Sequence, residues 1–127
     1  PGLRAVAAVA LQRIPGDAGL AALREAVEDP SFEVRANAAL ALATRGDSAG
    51  VSVLRDLIAR DTYEQERGRD AAKFAEARRI SESRVAAIDA LARLRRPEDR
   101  ATLAALADKE SDLAVREAAM KALEGWN

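Results

Sequence analysis

The sequence predicts an all-α protein: a right-handed α-solenoid of antiparallel helix pairs, about seven helices in a single domain. Three observations carry this. A nine-residue segment recurs four times in register, the stretches between copies place apolar residues at helical spacing, and the joints carry helix-stop and helix-start residues. No stretch shows the apolar–polar alternation of a strand.

The copies are "LRAVAAVAL" from Leu3, "VRANAALAL" from Val34, "SRVAAIDAL" from Ser83 and "VREAAMKAL" from Val115, starting 31, 49 and 32 residues apart. Each has Arg second, Ala fifth, Ala eighth and Leu ninth. Between copies, Leu23, Leu54 and Leu103 each follow the preceding terminal Leu by 12 residues, and Val27, Ile58 and Ala107 follow it by 16. Each unit is therefore a helix A followed by a helix B, with the motif opening helix B.

The first element, residues 1–14, is a lone helix B. It is apolar almost all round, and such a helix is buried on more than one side. Either an upstream repeat covers it or its face packs on another molecule. The chain opens "PGLRAV" without an initiator Met and reads as an excised piece of a longer protein. Full repeats follow at residues 17–45, 47–96 and 97–125. "PGD", "RGD" and "RRPED" separate each B from the next A, because Gly suits a helix end and Asp or Pro a helix start. "DPSF" and "DKESD" separate A from B. In the last copy Glu117, Lys121 and Glu124 form an outer polar stripe, as a capping surface would.

The long spacing marks an insertion of 18 residues in the second repeat, at about 61–80. "DAAKFAEARRI" predicts a helix with Asp70 as N-cap, and "RDLIARDTYEQER" predicts a helix A prolonged to about Arg67. Together they predict a long helical hairpin, the alternative being a loop with one short helix. Tyr63, however, falls on the face opposite Leu54. Tyr63 and Phe74 are two of only four aromatic residues and are the expected anchors of this segment. Residues 61–79 hold five acidic and five basic residues, so they form no simple phosphate clamp. "RRIS" within it matches a pattern that basophilic kinases favour.

"EDPSFEVRANAALALATRGD" and "DKESDLAVREAAMKAL" resemble HEAT-like repeats of the phycobilisome-lyase type, which combine an Asp-Pro turn, Val-Arg, an Ala-Ala…Ala-Leu helix and Gly-Asp. The resemblance covers nearly the whole chain apart from the insertion. It implies stacked helix pairs whose B helices line a concave face, in a family that ranges from scaffolds to a few enzymes.

A two-helix repeat cannot bury its apolar face alone, so neighbours must stack. Ala at the fifth and eighth positions lets backbones approach, and Leu at the ninth fills the A–B interior. The recurrent arginines, Arg4, Arg35, Arg84 and Arg116, read as rungs rather than a binding stripe. Each would meet an acidic turn residue or a free carbonyl of the neighbouring repeat, with Asp17 and Asp47 as partners.

Three function classes are weighed. The first is a protein- or peptide-binding scaffold. The motif's fourth, seventh and eleventh positions point away from the core, and the stripe includes Asn37, Leu40 and Thr44, then Ala86, Asp89 and Arg93, then Ala118, Lys121 and Gly125. Asn37, Leu40, Thr44, Asp89, Arg93 and Lys121 are the candidate contact residues. The alternative is nucleic-acid binding through residues 78–100, with seven Arg against four acids. Against it, the stripe is not basic and has no aromatic to stack a base, and the formal net charge is −1. The third is an enzyme. With no His and no Cys, the chain lacks the commonest general base, the commonest metal ligand and any thiol nucleophile. Its three lysines, Lys73, Lys109 and Lys121, are not brought beside a serine by the sequence. No catalytic residue, metal or cofactor is therefore expected. No apolar run is long enough to span a membrane and no signal peptide is visible. The Arg-rich, Lys-poor, Ala-rich usage suggests a GC-rich bacterial source.

Overall fold

Ala, Leu and Arg are strong helix formers, and the segments that concentrate them are helical. The computed structural model describes residues 16–59 and 77–126, which form six α-helices and no strand. They are α1 (Gly16–Ala26), α2 (Phe32–Thr44), α3 (Val51–Ile58, preceded by a 3-10 turn at Ser48–Gly50), α4 (Ala77–Leu94), α5 (Pro97–Lys109) and α6 (Leu113–Ala122). The expected lone helix at residues 1–14 and the expected anchors Tyr63 and Phe74 lie outside the described residues.

Local chemistry explains the boundaries. Asp47 caps the 3-10 turn by accepting from the Ala49 N–H at 2.8 Å. Asp112 caps α6 by accepting from the Ala114 and Val115 N–H groups at 3.0 and 3.3 Å. Pro97 opens α5, where its missing N–H costs nothing. After α2 the chain turns through Gly46 at φ 75°, in the left-handed region. At the equivalent place after α4 stands Arg95, at φ 49°. A non-glycine residue is disfavoured there. The Arg95 side chain offsets this: its guanidinium lies 5.8 Å from the Trp126 ring centroid and donates to the Gly125 carbonyl at 3.2 Å.

The helices pair α1 with α2, α3 with α4 and α5 with α6, and α2, α4 and α6 pack side by side in a row. This is an all-α solenoid. Leu23, Leu42, Leu54, Ile88, Leu91 and Leu103 run through one core with no exposed surface. Burying each such side chain stabilises the fold by about 1.5–3 kcal/mol. The motif alanines lie between helices: Ala38, Ala87 and Ala119 are fully buried, and Ala41, Ala90 and Ala122 nearly so. The ninth-position Leu42 and Leu91 are fully buried, whereas Leu123 packs at the edge. Glu117 and Lys121 on α6 and Glu124 just beyond it are exposed, together with Met120 and Leu113.

The structure departs from the expected insertion at its start, and residues 60–76, which hold the rest of the expected hairpin, lie outside the described residues. Helix A is not prolonged toward Arg67: α3 stops at Ile58, and Ala59 is extended at φ −72°, ψ 129°. The reason lies far away in sequence. Arg84 Nε donates to the Ile58 carbonyl at 2.6 Å, closing the helix end. On the other side of the insertion, α4 is already helical at Ala77, six residues before its motif begins.

Candidate interaction groove

The described motif arginines hold the fold, but their carbonyl partners lie in their own repeat rather than making them rungs to the neighbouring one. Arg35 donates to the carbonyls of Asp29 and Pro30 at 3.0 and 2.9 Å and lies over the Phe32 ring. Arg84 reaches the Ile58 carbonyl, and Arg116 the Ala107 carbonyl at 3.2 Å. In each case the carbonyl lies within the same repeat rather than in the neighbouring one: Arg35 meets the A–B turn, and Arg84 and Arg116 meet the C-terminal end of helix A. Those carbonyls have no helical partner, and the helix dipole favours a cation beside them. Arg84 also crosses to the next repeat, meeting Glu110 Oε1 at 2.5 Å. Arg4 lies outside the described residues.

Asp47 pairs not with a motif arginine but with Arg24 of α1, and Asp17 is exposed. Arg55, 31 residues after Arg24, makes the matching contact to Asp99 Oδ1 at 2.7 Å. A second ladder thus ties each helix A to the start of the next. Burial alone would raise the Asp47 carboxyl's pKa, but the hydrogen bonds from Arg24 and the Ala49 N–H outweigh it and hold the group below its ordinary value. The hydrogen bond with Asp99 holds the Arg55 guanidinium above its ordinary value.

With the motif arginines engaged along the A–B turns, the open surface between α2 and α4 takes a different character. Two cavities, of about 320 and 300 Å³, lie along it and share Leu40 and Ala86. Ala36, Asn37 and Leu40 of α2 face Ser83 and Ala86 of α4 at one end, with Leu57 as floor. Ala43 and Thr44 face Asp89, Ala90 and Arg93 at the other. The two helices run parallel at the 49-residue offset of the motif copies, so equivalent positions oppose one another.

Of the candidate contact residues, Asn37, Leu40, Thr44, Asp89 and Arg93 line this groove. Lys121 is exposed on α6 and is not among its lining residues. The eleventh position of the last copy, Gly125, lies in a turn beyond α6. The groove also contains Glu33, Arg79, Glu82 and Ser83, which the sequence reading misses. The signal for them is helical spacing: Glu33 precedes Asn37 by four residues, and Glu82 precedes Ala86 by four. A stripe begun at the motif's fourth position stops one turn short of them.

The arginines of residues 78–100 are divided among several tasks. Arg84 is buried against Ile58 and Glu110, and Arg95 holds the C-terminal turn. Arg96 pairs with Glu98 at 2.5 Å, and Arg100 donates to the Trp126 carbonyl at 3.3 Å. Arg79 and Arg93 stand in the groove wall. Among the described residues no three metal-binding side chains converge, and no described helix is long and apolar enough to cross a membrane.

A family model described as HEAT repeats matches residues 1–75. No curated protein and no solved structure matches the chain. HEAT repeats generally serve as scaffolds for protein interaction. The matched span exceeds half of the sequence and agrees with the stacked helix pairs, and the chain belongs to the HEAT-repeat family.

Proposed function

We propose that the chain is a protein-interaction module that holds a peptide segment of a partner protein in the α2–α4 groove and carries out no catalytic step of its own. Its repeats are residues 17–45, 47–96 with the inserted segment, and 97–125, in one domain. Within the family, the Asp29-Pro30, Val34-Arg35, Ala41-Leu42 and Gly46-Asp47 signature allies it with the phycobilisome-lyase type.

The observation that carries this reading is the continuity of the groove. An apolar saddle at Leu40 and Ala86 joins two cavities, and polar side chains rim both. Clefts that combine apolar surface with a few placed polar groups are where ligands bind. The absence of catalysis is supported by the residue inventory: there is no His or Cys, and Lys109 and Lys121 lie outside the groove.

Selection of displayed random peptides on the chain tests the proposal. Ala86→Arg fills the saddle while keeping a good helix former on a half-buried face. Selected peptides are expected to lose at least about tenfold in affinity on this variant, about 1.4 kcal/mol, with its circular dichroism unchanged. Peptides that bind the variant as well as the parent would overturn the groove as the contact surface.

A further inference from the structure

Resting on the groove as the contact surface, we infer that its occupant is an extended peptide of opposite charge at its two ends. It carries a basic residue at the Glu33–Glu82 mouth, a small apolar residue over Leu40 and Ala86, and an acidic residue at Arg93.

The charge order of the walls supports this. Glu33 on α2 and Glu82 on α4 are 49 residues apart, the motif offset, and so oppose each other at one mouth. A carboxylate accepts from several donors, so each can take a ligand ammonium or guanidinium beside its existing contacts. Arg79 lies about one turn further toward the mouth on α4, and the described lining residues of that end then sum to one net negative charge. Glu82 is in the second turn of the described α4 and so does not stand at a first-turn helix-dipole position.

The other mouth is different. Arg93 is exposed and makes no ion pair or hydrogen bond with another described residue. Its forked guanidinium suits a carboxylate. Asp89, four residues earlier on the same wall, is exposed and has no ion-pair or hydrogen-bond partner among the described residues. It disfavours an acid at the centre of the groove and confines the acidic residue to the Arg93 end. Between the mouths the lining is apolar at Leu40, Ala43, Ala86 and Ala90, with Asp89 beside them.

The spacing follows from geometry. Glu82 and Arg93 are 11 residues apart on α4, about 16 Å along a helix axis. An extended chain covers that in about five residues. The recognised segment therefore has its basic and acidic residues about five positions apart, with the small apolar residue between them.

The test uses peptides from the display selection and two charge variants, Glu82→Lys and Arg93→Glu, alone and together. Binding of groove-dependent peptides is expected to weaken about fivefold for each single change. The double variant is expected to prefer peptides in which the basic and acidic residues are exchanged. Peptides that depend on Ala86 but carry no such charge pair, or that ignore both charge variants, would overturn the inference while leaving the groove reading intact. Peptides insensitive to Ala86→Arg would overturn both.

Discussion

At the junction of the first repeat (α1 and α2) with the second (α3 and α4), Gly50 lies against Ala39. A Cβ built on Gly50 would stand 2.7 Å from both the Cα and the Cβ of Ala39, and 3.5 Å from Val27. Forty-nine residues on, at the junction of the second repeat with the third (α5 and α6), the equivalent positions hold Asp99 and Ile88. Both are buried, and Asp99 takes a hydrogen bond from Arg55 while its other oxygen has no partner among the described residues. A few residues away Arg84, 3 % exposed, joins Glu110, 8 % exposed.

Both junctions carry an Arg–Asp pair, but the first adds close backbone approach and the second adds charges withdrawn from water. The difference teaches that repeats aligned in sequence need not be held together by the same physics. Small residues gain dispersion contacts but tolerate no added atom. Ion pairs accommodate larger side chains but leave an uncompensated charge when one partner is lost.

The comparison breaks most sharply at Arg84. Arg84→Met keeps the stem but strands Glu110, and it is expected to cost about 3–5 kcal/mol. Adding Glu110→Gln should recover much of that loss, because the amide carbonyl can still accept from the Asp112 N–H. Urea unfolding of the two singles and the double measures it. If the double is as unstable as the sum of the singles, the pair is not the element that closes this junction.

Next come Leu42→Ala and Leu91→Ala. Both leucines hold the ninth motif position and have no exposed surface, so each should cost about 2–5 kcal/mol. Similar losses would show that the A–B interior is common to the repeats and that only the junctions differ. A gap larger than that range would show that the interiors differ too.

A smaller loss is expected for Gly50→Ala, about 1–3 kcal/mol from overpacking against Ala39. Ala39→Gly in the same chain should relieve part of the overlap. Thermal melts of the pair would expose a purely local helix-propensity effect, because that effect predicts a gain for Gly50→Ala.

The smallest effect belongs to Arg24→Ala. Arg24 is 56 % exposed and Asp47 13 %, so the pair contributes under about 1 kcal/mol. The pH dependence has a defined sign. Asp47's folded pKa lies below its ordinary 3.8, so its contribution is complete above that pH and is lost as the pH falls through the folded value. The stability gap between parent and Arg24→Ala should therefore close in acid and narrow in high salt. A gap that does not narrow as the pH falls below 3.8 or as salt is raised would mean that Arg24 acts through packing of its stem.

Much of this was open to a sequence reading because helical periodicity is local. The 3.6-residue repeat decides which side chains share a face, so the alanine and leucine rows and five of the six candidate contact residues could be placed from spacing alone. The same rule extends the faces to Glu33 and Glu82, provided it is followed past the motif's edge.

The sequence by itself determined the helices, their pairing rhythm and the residues that turn inward, since each depends on neighbours within a few turns. Only the tertiary structure decided which carbonyl each motif arginine meets, that Arg24 rather than a motif arginine binds Asp47, and that α3 ends at Ile58. The pairing of Arg24 with Asp47 and that of Arg84 with the Ile58 carbonyl join groups 23 and 26 residues apart. At such separations many charged partners are chemically equivalent, and the packing of one helix on another selects among them.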